Sequence, residues 1–370
     1  MRAARFPILV AALTAVLTAC SVGDVVTIPS GLPDDGYVAF TSETTKRTGF
    51  VLSLDANGRE LGRTTTDFQE IRKISSSPTT LALWGDLSND VGIVSRDGAI
   101  KRTHTLDRRG YSGFTGLRIS DTRVIGILND GLGTDGFYQM VPTSQDLNGD
   151  NQTRGLVPLY VSSFVLDGTD LLLAGSQDDL QATHSALARY TPAGDKIVQQ
   201  VIEPKYRECS GMTRIGNSLF QACIPRDLHD FETVLRSVDA TTFQEVTAID
   251  LKQPIHALIT TDKGELLAAV GSDIVRFDTE LNRLSDDPVP RSGGLSLGDV
   301  QSAYELDGAW FLILKGARLD LGESMTHLAT LVTVDQGTGS VTKVLPINLD
   351  RTSDMATFTI VPAAWFTQRK

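Results

Sequence analysis

A short apolar run that follows a turn recurs seven times along this 370-residue chain. The copies read Asp35-Gly36-Tyr37-Val38-Ala39-Phe40, Thr79-Thr80-Leu81-Ala82-Leu83-Trp84, Asp121-Thr122-Arg123-Val124-Ile125-Gly126-Ile127 and Gly168-Thr169-Asp170-Leu171-Leu172-Leu173. They continue as Gly216-Asn217-Ser218-Leu219-Phe220, Lys263-Gly264-Glu265-Leu266-Leu267-Ala268 and Asp307-Gly308-Ala309-Trp310-Phe311-Leu312. Anchored on Tyr37, Leu81, Val124, Leu171, Leu219, Leu266 and Trp310, the spacings are 44, 43, 47, 48, 47 and 44 residues. Length alone, at roughly 100–200 residues per domain, would suggest two or three domains. A fixed period instead marks a repeat architecture, in which each unit buries its apolar faces only against its neighbours.

Each copy is followed by a second hairpin of an alternating strand, a turn rich in Asp and Gly, and another strand. Val51-Leu52-Ser53-Leu54-Asp55, Ile93-Val94-Ser95-Arg96-Asp97, Val234-Leu235-Arg236-Ser237-Val238-Asp239, Ile274-Val275-Arg276-Phe277-Asp278 and Leu331-Val332-Thr333-Val334-Asp335 are examples. An Asp that closes such a strand accepts bonds from backbone N–H groups of the turn, and Gly supplies positive φ, so these residues read as structural. No amphipathic run of helical period lasts 12 residues. With one inner strand before each anchor, the unit is four strands per 45 or so residues, which predicts an all-β chain folded as a β-propeller. Aromatics make up only 6% of the chain, in keeping with strands built on Val, Leu and Ile.

No inner strand is evident before Tyr37, and one strand, residues 355–361, is left over at the far end. We expect that strand to complete the first of seven four-stranded blades and close the ring, leaving no sheet edge open. The alternative has Val25-Val26-Thr27-Ile28 in that place and the C-terminal strand opening an eighth blade.

The repeat resembles the YVTN-like and quinoprotein-like repeats of bacterial seven-bladed propellers, the latter at the Asp that closes the third strand. The resemblance covers residues 36–361 and is architectural. The docking Trp of the quinoprotein repeat is absent, its positions being held by residues such as Val341 and Ile197, so no quinone cofactor is expected.

Residues 1–19 carry Arg2 and Arg5, then the apolar run Ile8-Leu9-Val10-Ala11-Ala12-Leu13, and then small residues up to Cys20. This is the layout of an export signal, too short to remain as a spanning helix. Leu17-Thr18-Ala19-Cys20 resembles the lipobox of bacterial lipoproteins, which implies cleavage before Cys20 and lipidation of its sulfur. The expected organisation is a signal peptide over 1–19, a lipidated tether over 20–35, one propeller over 36–361 and a tail over 362–370. The expected location is the outer side of a cell membrane, held by acyl chains; two or more chains make a stable anchor.

Loss of Arg2 and Arg5 takes the net charge from −11 to −13. Nucleic acid is excluded as a partner, because phosphate binding needs a basic face. In a propeller the connections from first to second and from third to fourth strand share one face. In this chain they are mostly tight turns, the segment after Asp146 being the one long exception. Connections from second to third strand and from blade to blade share the other face, and several are long: 106–114, 129–136, 175–184, 224–232, 286–298 and 315–327. Function concentrates on such loops when a rigid scaffold carries them.

Three of the five His, His184, His229 and His327, fall in these long connections beside Asp178, Asp179, Asp227, Asp230, Asp320 and Glu323. Imidazole and carboxylate suit a divalent metal or a cationic ligand, yet no ligand spacing such as H-E-x-x-H occurs, and no cofactor is expected. His104 and His256 lie in or beside strands and read as structural. Asp146-Leu147-Asn148-Gly149-Asp150 imitates the first half of a calcium loop, but Val157 stands where the bidentate Glu belongs. The residues Asp146, Asn148 and Asp150 therefore read first as a turn. With Cys20 lipidated, Cys209 and Cys223 are the two remaining thiols. They flank the turn at Gly216-Asn217 nearly evenly, so they are expected to form a disulfide.

No G-x-S-x-G elbow, P-loop, dinucleotide fingerprint or CxxC pair is present, and no catalytic residue is assigned. The reading that results is a monomeric, membrane-anchored propeller that binds an envelope protein or a glycan through its long-connection face. A metal-assisted hydrolase or lactonase-like enzyme and a small-molecule carrier are the alternatives.

Overall fold

The computed structural model describes residues 26–29, 31–43, 48–66, 73–84, 90–104, 114–120, 122–132, 138–147, 153–154, 157, 159–178, 183–191, 196–201, 205–226, 233–289, 300–315, 329–347 and 355–366. They form seven antiparallel sheets. Each repeat anchor lies in the second strand of its sheet, as the spacing predicts. Blade two is β5 (Lys73–Ser76), β6 (Thr80–Trp84), β7 (Asp90–Ser95) and β8 (Ala99–His104). Blade three is β9 (Phe114–Ile119), β10 (Arg123–Leu132), β11 (Tyr138–Asp146) and β12 (Thr153–Arg154); blade four is β13 (Tyr160–Asp167), β14 (Asp170–Asp178), β15 (Thr183–Tyr190) and β16 (Lys196–Val201). Blade five is β17 (Tyr206–Ile215), β18 (Ser218–Pro225), β19 (Val234–Asp239) and β20 (Glu245–Asp250). Blade six is β21 (Ile255–Thr260), β22 (Leu266–Val270), β23 (Asp273–Phe277) and β24 (Arg283–Pro288). Blade seven is β25 (Val300–Leu306), β26 (Ala309–Lys315), β27 (Ala329–Asp335) and β28 (Val341–Ile347).

Blade one is completed from the far end of the chain. The strand β29 (Met355–Pro362) pairs with β2 (Tyr37–Glu43), and β3 (Thr48–Leu54) and β4 (Glu60–Thr66) follow outward. The ring has seven blades, not eight. The N-terminal strand that might have filled that place, β1 (Val26–Thr27), instead adds to the outer edge of blade two, with Val26 opposite Ile100 on β8. Part of the expected tether is thus folded onto the ring. Part of the expected tail is too: a 3-10 turn at Ala363–Trp365 follows β29, and Trp365 and Phe366 are buried. Two adjacent aromatics gain more from burial than from solvent, which draws this segment into the core.

Burial explains the strand order. Second strands such as β6 and β22 are buried along their whole length, whereas the outer strands β20 and β24 are mostly exposed. A continuous apolar run suits a strand covered on both faces. The core lies between blades as a series of interface clusters; the largest unites blades one, two and seven around Phe40, Leu52, Ile313, Val361 and Trp365. Serines stitch inner strands to neighbouring blades: Ser75 Oγ accepts from Ile119 N (3.2 Å), Ser162 Oγ donates to Cys209 O (2.8 Å), and Ser163 Oγ accepts from Met212 N (2.9 Å).

On the short-turn face the strand-closing Asp residues do what the sequence predicts. Asp55 Oδ1 accepts from the N–H groups of Asn57 and Arg59, Asp239 Oδ1 from Thr241 and Thr242, and Asp278 Oδ1 from Glu280 and Asn282. Hydrogen bonds to the carboxylate hold Asp97, Asp239, Asp278 and Asp335 below the ordinary Asp pKa, led by the bonds from Ser95, Thr242, Asn282 and Thr338 respectively.

Two of the long connections are shorter than the sequence suggests. The strand β10 runs on to Leu132, and β14 and β15 reach Asp178 and Thr183, because antiparallel pairing continues past the apolar stretch: Gln177 lies opposite His184 and Asp178 opposite Thr183.

Candidate functional site

The inner strands line the axis of the ring, and each of them begins at the long-connection face. Six of the seven share an irregularity there. The register with the second strand skips one residue at the second or third position of the inner strand: Thr115 in β9, Ser162 in β13, Arg207 in β17, His256 in β21, Gln301 in β25 and Ala356 in β29. An extra residue in one strand of a pair bends it and re-aims a side chain, and such bulges collect at rims and binding sites. Five of the six residues are polar. On three consecutive blades they are Arg207, which is exposed, and His256 and Gln301, which are half-buried. They hold matching positions on three consecutive inner strands, at the end nearer the long connections.

This ring escaped the reading from sequence, which took His256 as structural. The signal is an apolar residue followed by a polar one at repeat spacing: Phe114-Thr115, Val161-Ser162, Tyr206-Arg207, Ile255-His256 and Val300-Gln301.

A covalent bond stiffens the mouth at blade five. Cys209 and Cys223 form a disulfide across β17 and β18, their Cα atoms 4.0 Å apart. Around the start of β17, Lys205 Nζ lies 2.9 Å and the Tyr206 hydroxyl 3.0 Å from the Glu245 carboxylate. The Arg236 guanidinium lies under the Tyr206 ring, 5.0 Å from its centroid, and gives Nε and Nη2 to Gln221 Oε1 at 3.2 and 2.7 Å. Burial, opposed by the bonds from Lys205 and Tyr206, is the largest influence on Glu245; the bonds and the two cations together leave its pKa below the ordinary value. Burial raises that of Tyr206. Tyr206 directly precedes Arg207, so the cluster fixes the backbone from which Arg207 projects.

Of the residues proposed from sequence for the ligand face, Asp178 and His184 are placed by their strands at the long-connection end of blade four, one residue out of register with each other. His229, His327, Asp230 and Asp320, with Asp179, Asp227 and Glu323, lie outside the described residues, as does Cys20. Among the described residues no group of three or more His, Cys, Asp or Glu is arranged to hold a metal ion. In the calcium-like segment Asp146 faces Arg123, 3.3 Å from carboxylate to Nε, so it serves an ion pair; Asn148 and Asp150 lie outside the described residues. No helix among the described residues is long and apolar enough to cross a membrane.

No protein-family model and no curated protein matches the sequence. Solved structures do match the fold. A hypothetical selenium-binding protein from Sulfolobus tokodaii aligns with a TM-score of 0.57 at 9% identity, over 90% of this chain and 96% of that one. The Myceliophteria thermophila Cps50 (Swd1) β-propeller domain aligns at 0.52 and 12% identity, over 77% and 88%. Hydrazine synthase of Kuenenia stuttgartiensis aligns at 0.51 and 12% identity, over 85% and 94%. At such identities the likeness extends to architecture alone: the chain folds as a seven-bladed β-propeller.

Proposed function

We propose that this chain is an exported lipoprotein, anchored by acyl chains on Cys20, whose ring binds an envelope protein or a glycan through the long-connection face. The observation that carries the reading is the recurrent bulge. A ring needs no extra residue at the same place in six inner strands for closure, and polar residues at five of those places are what a recognition surface requires. The disulfide and the Tyr206 cluster support it, since a rigid mouth reduces the ordering cost of binding. The anchor rests on the Leu17-Thr18-Ala19-Cys20 segment and on the charge and hydropathy of residues 1–19.

Photo-crosslinking amino acids at positions 207, 256 and 301, introduced one at a time in living cells, test the face. Each is expected to trap the same envelope component, while positions 61 and 246 on exposed outer strands trap none. Equal labelling from both sets, or none from the mouth, would discard the reading. The anchor is tested by Cys20→Ser, which is expected to move the protein from the membrane fraction to the soluble one.

A further inference from the structure

The opposite, short-turn end of the axis carries a charged pair that the binding face above does not use. Arg118 stands two residues before the turn of blade three, and Glu305 two residues before that of blade seven. Both are exposed. The inner strand of blade two lies between them and fixes their separation: Ser75 Oγ accepts from the N–H of Ile119, beside Arg118, and Ser76 Oγ donates to the backbone oxygen of Glu305.

The two side chains sense each other's charge, yet no ion pair joins them. Arg118 lies over the Phe164 ring, 5.5 Å from its centroid, and spends only Nη1, on Leu117 O at 3.4 Å. Its Nε and Nη2 edge, the edge that takes a carboxylate through two parallel bonds, has no hydrogen-bond partner among the described residues. Glu305 accepts from Gln336 Nε2 at Oε2 (3.1 Å), its Oε1 having no hydrogen-bond partner among the described residues, and exposed Asp262 of blade six adds negative charge on that side. Arg214, at the comparable position of blade five, is different: it is committed to Asp167 and to Gly216 O.

We propose that this short-turn mouth is a second binding site, for a small zwitterion whose carboxylate lies on the Nε and Nη2 edge of Arg118 and whose ammonium lies on Glu305. The site lies at the other end of the axis from Arg207, His256 and Gln301 and stands or falls separately from the function proposed above.

Calorimetric titration of the purified protein with 4-aminobutanoate and 6-aminohexanoate tests it, beside butanoate, hexanoate, butylamine and hexylamine. One of the ω-amino acids is expected to bind more tightly than the acid and the amine of its own length. Arg118→Gln and Glu305→Gln are each expected to weaken that binding about ten-fold or more, as loss of a hydrogen bond between charged groups does. Arg63→Gln, on the outer strand of blade one, is expected to leave it unchanged. Should Arg118→Gln fold poorly, Arg118→Lys keeps charge and stem but lacks the two-pronged edge, and the same loss is expected. No advantage of any ω-amino acid over its singly charged analogues, or binding that survives both the Arg118 and the Glu305 substitutions, would overturn the proposal.

Discussion

Cys209 lies opposite Cys223 because Gly211 carries the extra residue of a bulge. At the turn, Ile215 pairs with Ser218 and Thr213 with Phe220; continued without interruption, that register would set Cys209 against Ile224. The shift between Thr213 and Ser210 corrects it by one residue, and Gly211 absorbs the shift at a φ of 60°. Gly211→Val puts a β-branched side chain where φ is positive, which such residues strongly resist. Thiol titration of the unfolded, unreduced variant is expected to find free cysteine where the parent has none in this pair.

The disulfide closes a short segment, its cysteines 14 residues apart. For a loop of that length the loss of Cys209 and Cys223 together to Ala is expected to cost about 3 kcal/mol. Denaturant unfolding of the double variant against the oxidised parent measures it, and equal midpoints would show that the bond contributes nothing to the ring.

Val38 pairs with Val361, and Ile360 accepts at its backbone oxygen from the Tyr304 hydroxyl of blade seven. Truncation after Asp354 removes that strand and, with it, the buried side chains of Ile360, Val361, Trp365 and Phe366. At roughly 1.5–3 kcal/mol for each buried apolar side chain, the loss rivals the whole stability of a typical domain. The truncated protein is expected to lose cooperative thermal unfolding. A melting temperature equal to the parent's would contradict closure of the ring by this strand.

The turn aspartates carry a pH signature. Their pKa values are lower in the folded chain than unfolded, so their contribution is complete above the ordinary Asp range and is lost as pH falls through the folded value. Thermal stability is expected to decline from about pH 4 downward. Asp278→Asn keeps an acceptor for the N–H groups of Glu280 and Asn282 but does not titrate. It is expected to flatten that decline relative to the parent, and an identical pH profile would remove Asp278 from the account.

Gln221 and Arg236 form a buried pair: the arginine side chain is 4% exposed. Gln221→Leu strips a buried cation of two hydrogen bonds, at an expected cost of about 2–3 kcal/mol. Replacing both residues, with Gln221→Leu and Arg236→Met, is expected to cost less than the sum of the single changes, because the cation that those two bonds serve goes too. Chemical denaturation of all four forms completes the cycle.

The blade pattern was legible because it rests on side-chain periodicity. Runs such as Leu171-Leu172-Leu173 bury both faces, and Asp278 or Asp335 ends a strand by local hydrogen bonding; neither needs knowledge of a partner strand. The bulge ring needs it. Register belongs to two strands at once, so Arg207 and His256 looked like ordinary strand residues until Pro225 and Val270 were seen opposite their predecessors. The same holds for Arg118 and Glu305, which lie far apart in the chain and come to one end of the axis with β5 between their strands. Cys209 and Cys223 were legible from their placement about a turn, although the unequal spacing on its two sides awaited Gly211 for an explanation. Val26 and Thr27 looked like tether because two residues are too few to show an alternation.

Those two residues set the posture of the molecule on its proposed membrane. If Cys20 bears the acyl chains, six residue steps separate it from Val26 on the outer edge of blade two, a leash of about 22 Å at full stretch. On that proposal so short a line would keep the rim of the ring at blade two within about 22 Å of the lipid, so that the molecule hangs from its edge and not from either end of its axis.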